Sequence, residues 1–533
     1  MSAPAVALAG ARQLTGTGAL LRLALRRDRV LMPVWVLALG LTMSSGVGTV
    51  ESLYGTAAER TGVAGSMAAN GSLRALYGPV FEPSVGGLVA WRLGGFVALM
   101  AGAMSLVVVV RHTREEEETG RQEMLSAAVV GRRAALAAAL LAALVANAAL
   151  VVLVAGALAR STGETGGALA LGLAIGATGM FFAGVAAVTA QLSESARLAK
   201  GLAAAALGAA FILRAAGDAA TADASSVLNW LSPLGWTENV RPYGDERWWV
   251  LGLLVAGAVA LAAGAQVLAG RRDVGMSFLP ARPGPAAGRL SSAHALALRL
   301  QRGSLAAWLT GFLLCGLLFG GMTDAVTDLV GANERTAEIF RRLGGEQEMS
   351  EAFLAAMAGM LGMVAALYVV GSVLRLHGEE TSQRAEPVLA GAVGRIGWAA
   401  GHLVVAFGGA VAVLLAGGLG LAAGRGQDLG AVLGACLVQV PAVWVLGGLA
   451  VLLHGFAPQL APAAWGVTGL CLAVGWIGPV LNLPSALMNL SPFGHLPKLP
   501  GGEMSWTPVL VLTALTACLV AAGLTGLRRR DLG

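Results

Sequence analysis

An all-α membrane protein of twelve transmembrane helices, arranged as two parallel six-helix repeats, is the fold this sequence predicts. Three observations carry that expectation. The 533-residue chain is 56% hydrophobic and 12% charged, with a mean hydropathy of +0.73. Soluble domains are roughly 45–50% apolar and about 25% charged. Twelve apolar stretches approach or exceed the length of about 20 residues that crosses a bilayer. Three short motifs recur in the same order in both halves of the chain. So little charge cannot cover the surface of a soluble protein this long, which excludes a cytosolic enzyme, a disordered chain and a disulfide-stapled secreted module.

In the first half the stretches fall at 31–50, 88–110, 134–158, 168–191, 199–216 and 248–270. The fifth is the weakest, because Arg214 sits near its end. In the second half they fall at 304–322, 353–374, 398–423, 430–453, 461–480 and 508–526. An even number of spans puts both termini on one side. The 36 basic residues comprise 34 arginines plus Lys200 and Lys498. With the N-terminus inside, 24 of them fall in inner segments and 10 in outer ones, the positive-inside bias that sets orientation. The expected location is therefore the cell membrane, multi-pass, with both termini cytoplasmic. Trp35, Trp91, Trp248, Trp249, Trp308, Trp398 and Trp506 lie at span edges, where amphipathic rings settle. Residues 1–30 carry five arginines and lead into a long apolar run with no convincing cleavage site, so a removable signal peptide is not expected.

The inner loop after the second span matches the loop after the eighth. At an offset of 263, Glu116, Glu117, Arg121, Glu123, Val130, Gly131 and Arg132 meet identical residues. Leu231-Ser-Pro-Leu-Gly235 matches Leu490-Ser-Pro-Phe-Gly494 at an offset of 259, and Arg271-Arg-Asp-Val-Gly275 matches Arg529-Arg-Asp-Leu-Gly533 at 258. Recurrence in constant order is the mark of a repeat, and an even span count per half makes the repeats parallel rather than inverted. The expected organisation is a first six-span half at 1–275, a cytoplasmic linker at 276–303 and a second six-span half at 304–533. Pro283, Gly284 and Pro285 mark the linker as flexible. Leu20 to Arg29 and Ala293 to Arg302 are each expected to form an interfacial helix ahead of a span. The outer loops at 51–87 and 323–352 are long enough for short helices. Ser232-Pro233 and Ser491-Pro492 read either as ends of re-entrant helices or as plain turns.

No catalytic constellation is visible. The six histidines are isolated, and no G-x-x-x-x-G-K-[ST], H-E-x-x-H or G-x-S-x-G motif is present. Cys315, Cys436, Cys471 and Cys518 lie in apolar runs without a C-x-x-C pair, so neither metal nor disulfide is expected. Arginines scattered between apolar runs do not make a nucleic-acid surface. The clearest polar mid-span residues are Asn147 and Gln439; with Trp444 they are candidates for a substrate path, while helix–helix hydrogen bonding is the plainer role. His402 lies near the inner end of span nine and is read the same way.

The strongest functional signal is the pair of charged loops. Read as a helix from Glu115 to Val130, the first loop sets Glu117, Arg121, Met124 and Leu125 at neighbouring positions, a face both charged and apolar. Pro387 interrupts the second copy, which should be either a shorter helix or one restarted at the proline. A solvated elbow whose charges pair with one another is the plain alternative for a single loop. Two copies at matching topological points favour docking of a partner.

At these residues the sequence resembles the actinobacterial ABC-2-type export permeases of the two-repeat, twelve-span kind, exporters of polyketide antibiotics and other drugs. The resemblance covers nearly the whole chain. Its specific part is the Glu-Glu-x-x-Gly-Arg-x-Glu-x-Leu run from Glu116 to Leu125 with the trailing Gly131-Arg132. The second copy departs from it at Ser382, Gln383 and Pro387. The resemblance implies an ABC-2-type (type V exporter-like) transmembrane domain that works with two copies of a separate ABC ATPase subunit. It implies that the inner loops are coupling helices: Glu116, Glu117, Gly120, Arg121, Glu123, Leu125, Gly131 and Arg132 for one ATPase, Glu379, Glu380, Arg384, Glu386, Gly394 and Arg395 for the other. ATP and Mg would then be bound by the partner, with no cofactor in this chain. The substrate would be a hydrophobic or amphiphilic small molecule drawn from the membrane lipids or cytosol. The rival expectation is a proton-driven twelve-span secondary drug transporter, which needs a mid-membrane acid or base.

Overall fold

The computed structural model describes residues 13–127, 129–279, 292–323, 349–426, 429–481 and 488–531, with isolated positions 288, 290 and 484. All regular structure in them is helical. The chain divides into two compact units, Met1–Pro283 and Gly284–Gly533. Of the expected linker, 276–279 remain attached to the first unit, where the amides of Phe278 and Leu279 donate to the carbonyls of Gln191 and Leu192. Residues 280–287, 289 and 291 lie outside the described residues, as does most of the expected outer loop 323–352.

Eleven helices among the described residues are long and apolar enough to cross a membrane. In the first unit these are Leu31–Leu53, Val85–Glu118, Ala134–Thr162, Thr165–Leu192, Ala196–Ala220 and Trp248–Arg271. In the second they are Ala293–Gly321, Met349–Thr381, Arg395–Arg425, Leu429–Phe456 and Trp506–Arg529. The stretch expected at 461–480 is the helix Ala463–Leu481, whose side chains from 477 onward lie outside the description. Most of these helices run past their expected ends, because flanking Ala, Gly and charged residues continue the backbone ladder without a breaker.

Within the first unit the second and fourth spans form the centre, and within the second unit the eighth and tenth do; these four are the most deeply buried. The sixth and last spans expose apolar side chains such as Val255, Val259, Leu510 and Val511, as a lipid-facing helix does. Small residues set the closest approaches. A Cβ at Gly316 would overlap the Gly417 carbonyl oxygen, and one at Gly455 the Gly523 carbonyl oxygen. The seventh span therefore meets the ninth, and the tenth the last, backbone against backbone.

Local chemistry explains the departures from expectation. Ahead of the first span, Thr17–Arg27 is a separate helix, and the chain turns at Asp28, whose carboxylate binds Arg111 and His112. The second unit has no such stop: Ser292 caps one continuous helix, Ala293–Gly321, so the separate interfacial helix expected at Ala293 to Arg302 does not form. The tenth span breaks at Gln439 into Leu429–Leu437 and Val440–Phe456, with Pro441 in the first turn of the second piece. The loop at 51–87 contains Ala57–Ala69, closed by a capping box between Thr56 and Glu59, and Gly71–Tyr77. Ser232-Pro233 follows the short helix Val227–Trp230 and opens Pro233–Asn239, with Ser232 as its cap. Ser491-Pro492 opens a 3₁₀ turn, Pro492–His495.

Candidate functional site

The charged loop of the first unit is not one helix from Glu115 to Val130. It is two short helices, Arg114–Glu118 and Arg121–Ser126, hinged at Gly120, whose φ of 71° lies in the left-handed region. Glycine takes that conformation without the Cβ strain other residues meet. The hinge separates residues that helical spacing would align: Glu116 and Glu117 lie inward, while Arg121, Glu123 and Met124 are exposed.

Glu117 is the centre of an internal brace. Arg272, just beyond the sixth span, donates to both its oxygens, from Nη2 to Oε1 at 2.6 Å and from Nη1 to Oε2 at 2.8 Å. Arg114 Nη1 donates to Oε2 at 2.5 Å, and the Gly275 amide at 3.3 Å. Arg114 is itself fully buried and ties the loop to the carbonyls of Ala190 (3.1 Å) and Met276 (2.9 Å). Arg272 Nε reaches Gln191 Oε1 at 2.7 Å. Arg132 donates to the Arg272 carbonyl at 2.6 Å and pairs with Asp273 at 2.8 Å. Glu116 pairs with Arg27 and, at 3.2 Å, with Arg121, and Glu115 pairs with Lys200. Two-pronged arginine–carboxylate pairs are among the strongest hydrogen bonds, and each buried charge here is matched, as burial requires.

The second unit makes the same core contact. Arg530, beyond the last span, donates to Glu380 from Nη1 to Oε1 at 2.5 Å and from Nη2 to Oε2 at 2.6 Å. Arg395 Nη1 donates to the Arg530 carbonyl at 2.5 Å. Glu380 and Arg395 stand 263 residues after Glu117 and Arg132, and Arg530 stands 258 after Arg272, the offsets of the sequence motifs. Around this core the two units differ. His377 and His454 stand 263 residues after Arg114 and Gln191. His454 Nε2 lies 3.5 Å from Glu380 Oε2, and the two histidine rings are 6.0 Å apart. Glu379 pairs with Arg375 at 3.5 Å. As expected from Pro387, the loop is Arg375–Thr381 and then a restart at Glu386–Leu389. Arg384, Glu386, Pro387 and Gly394 are exposed.

The three substrate-path candidates lie in packed positions. Asn147 donates to Ser105 Oγ at 2.8 Å and to the Ala143 carbonyl at 2.9 Å, joining the third span to the second. Gln439, in the second unit, packs its side chain against Gly362 at the break in the tenth span. Trp444 donates to the Phe407 carbonyl at 3.1 Å. His402 shares a buried bond with Gln301 at 3.2 Å. An apolar cavity of about 340 Å³ lies elsewhere in the second unit, lined by Trp308, Phe312, Phe319, Met360 and Leu361.

Sequence reading also missed a buried ionisable cluster. Arg214 and Asp218, on the fifth span, are 2% and 0% exposed. Arg214 Nη1 lies 2.6 Å from Glu238 Oε1 and 3.6 Å from Asp218 Oδ2. Asn229 donates to Asp218 Oδ1 at 2.5 Å. The expected fifth span takes in Arg214 near its end but not its acidic partner Asp218, which lies two residues from the end of the helix Ala196–Ala220. The signal was present as a four-residue spacing that puts base and acid on one helical face; what concealed it was the position of Asp218 beyond the expected end of the span.

These features define a class: an all-helical, multi-pass membrane protein with a charged, internally braced loop in each unit. A family described as multidrug efflux system permease Rv1217c, C-terminal domain, matches residues 290–528. The multidrug efflux system permease protein Rv1217c of Mycobacterium tuberculosis is 44% identical over 527 residues, 97% of this chain and 95% of that protein. The chain belongs to this family of multidrug efflux system permeases.

Proposed function

We propose that the chain is the transmembrane permease of an ATP-binding-cassette exporter. It moves hydrophobic or amphiphilic compounds outward, drugs or polyketide antibiotics among them, and is powered by two copies of a separate ATPase subunit. Twelve spans form two parallel six-span repeats, with both termini and both charged loops cytoplasmic. ATP and Mg belong to the ATPase. The carrying observation is the shared brace: Glu117 with Arg272 and Arg132 in one unit, Glu380 with Arg530 and Arg395 in the other.

Each brace ties the loop after the second span of its unit to the far end of that unit's final span. A push on the loop would thus reach both ends of a six-span half together. This divides the loop residues by role. Glu116, Glu117, Glu379 and Glu380 hold the loop in place, with Gly120 setting its bend. Arg121, Glu123, Met124, Arg384 and Glu386 are exposed and offer the docking face, with Leu125 half-buried behind the first loop. Because the second loop restarts at Pro387, the two docking sites are not equivalent. The apolar cavity beside Trp308 has the chemistry an apolar substrate needs.

Co-purification with the candidate ATPase tests the reading. Glu123→Arg with Met124→Glu, and Arg384→Glu with Glu386→Arg, should abolish it at unchanged expression and thermal stability. Retained co-purification in all four-substitution protein would overturn the docking assignment. A second reading, the proton-driven carrier, draws support from the buried acids Asp218 and Glu238. Export that persists without any ATPase, and stops when the proton gradient is collapsed, would establish that reading instead.

A further inference from the structure

The second span begins irregularly. A π-helical turn, Ala90–Gly94, interrupts it just after Val85–Val89. Such turns are rare and concentrate at functional sites. This one sets Trp91 at the wall of a cavity of about 40 Å³ that also meets Tyr77, Phe81, Glu82 and Glu238. The indole N–H is fixed on the Gly78 carbonyl at 2.9 Å, and the Trp91 and Tyr77 rings lie 5.3 Å apart. From the turn to Glu117 the helix runs about 23 residues, so the cavity lies about 35 Å from the charged loop, at the other end of the same span.

The lining has one chemical character. It carries two carboxylates and three aromatic rings, and no basic side chain among the described residues. Arg241 already lies over the Phe81 ring, 4.6 Å from its centroid, and the Arg214 guanidinium is held by Glu238 Oε1 and shared with Asp218. The Glu238 side chain is 10% exposed, and its Oε2 is buried without a hydrogen-bond partner. Gly78 leaves room for it: a Cβ there would stand 2.8 Å from Glu238 Oε1. An unanswered carboxylate oxygen under aromatic walls attracts a cation whose surface is partly apolar, by charge and by the ring quadrupoles. A water needs roughly 10–15 Å³ of such space, so the cavity admits an ammonium head group but not a whole drug.

We propose that this cavity is a binding site for the ammonium head of an organic cation, with Glu238 and Glu82 as its counter-charges and Trp91 and Tyr77 as its walls. On the orientation proposed above this is the exit end of the permease, but binding does not depend on the ATPase or on that orientation.

Calorimetric titration of the full-length chain in detergent, without ATPase, tests it. Choline is compared with its uncharged isostere 3,3-dimethylbutan-1-ol. Choline should bind, with the isostere about tenfold weaker or undetectable. Glu238→Gln and Trp91→Leu should each weaken choline about tenfold. Glu82→Gln, at the wall and away from the Arg214 cluster, should weaken it while the unfolding temperature stays at the wild-type value. Equal binding of choline and the isostere would overturn the proposal. So would choline binding that survives both Glu82→Gln and Trp91→Leu, or titration showing only a proton held between Asp218 and Glu238 with no choline bound.

Discussion

Removing the arginine from each brace should not cost the same. Arg530→Ala leaves Glu380 buried, its side chain 7% exposed, with His454 at 3.5 Å as the remaining ion-pair partner described. Stranding a buried carboxylate costs about 3–5 kcal/mol. Arg272→Ala also removes a two-pronged contact, but Glu117 keeps Arg114 at 2.5 Å and the Gly275 amide at 3.3 Å. Its loss should be nearer that of charge-assisted hydrogen bonds, about 1.5–3 kcal/mol. The assay is thermal and denaturant unfolding of the purified chain in one detergent. Arg530→Ala should be the less stable variant, and adding Glu380→Gln should recover part of its loss, because the stranded charge is then gone. In the first unit, adding Glu117→Gln to Arg272→Ala should make matters worse, since it leaves Arg114 buried without its counter-charge. Equal losses for the two arginines, or no recovery by Glu380→Gln, would refute this account of the braces.

Gly120→Ala should strain the loop hinge by about 1–2 kcal/mol, and Gly120→Asn by less; ATPase co-purification should fall in that order while the unfolding of the spans is little changed. Gly316→Val should push the seventh span from the ninth, because its Cβ meets the Gly417 carbonyl; protease digestion should show the loss of the folded second unit. Asn147→Leu should lower stability by about 0.6–2 kcal/mol through the lost bond to Ser105. If Asn147 is helix–helix glue, the relative export of different substrates should stay the same; a changed substrate profile would return it to the substrate path.

Much is legible in the sequence. Apolar runs of bilayer length are a one-dimensional property, so eleven of the expected helices could be read off as candidate spans with their order correct. The charged loops and the trailing arginine motifs stood out because charge is scarce in this chain. Their partners did not. Glu117 and Arg272 lie 155 positions apart, and Glu380 and Arg530 lie 150 apart, separations over which no periodicity speaks. The loops were read as exposed docking helices, yet their first glutamates are internal; a glycine with positive φ at position 120 divides the two faces, and sequence spacing assumed one unbroken helix.

Composition, hydropathy and the recurring motifs were sufficient for the kind of protein and the place of its charged loops, because the bilayer imposes length and polarity on each segment separately. They were not sufficient for which charges meet, which glycines carry close contacts, or where Arg214 and Asp218 come to rest. Those outcomes depend on packing between segments far apart in the chain. A carboxylate becomes a brace, a docking group or a cation site according to what the fold places against it, and that neighbour is absent from its local sequence.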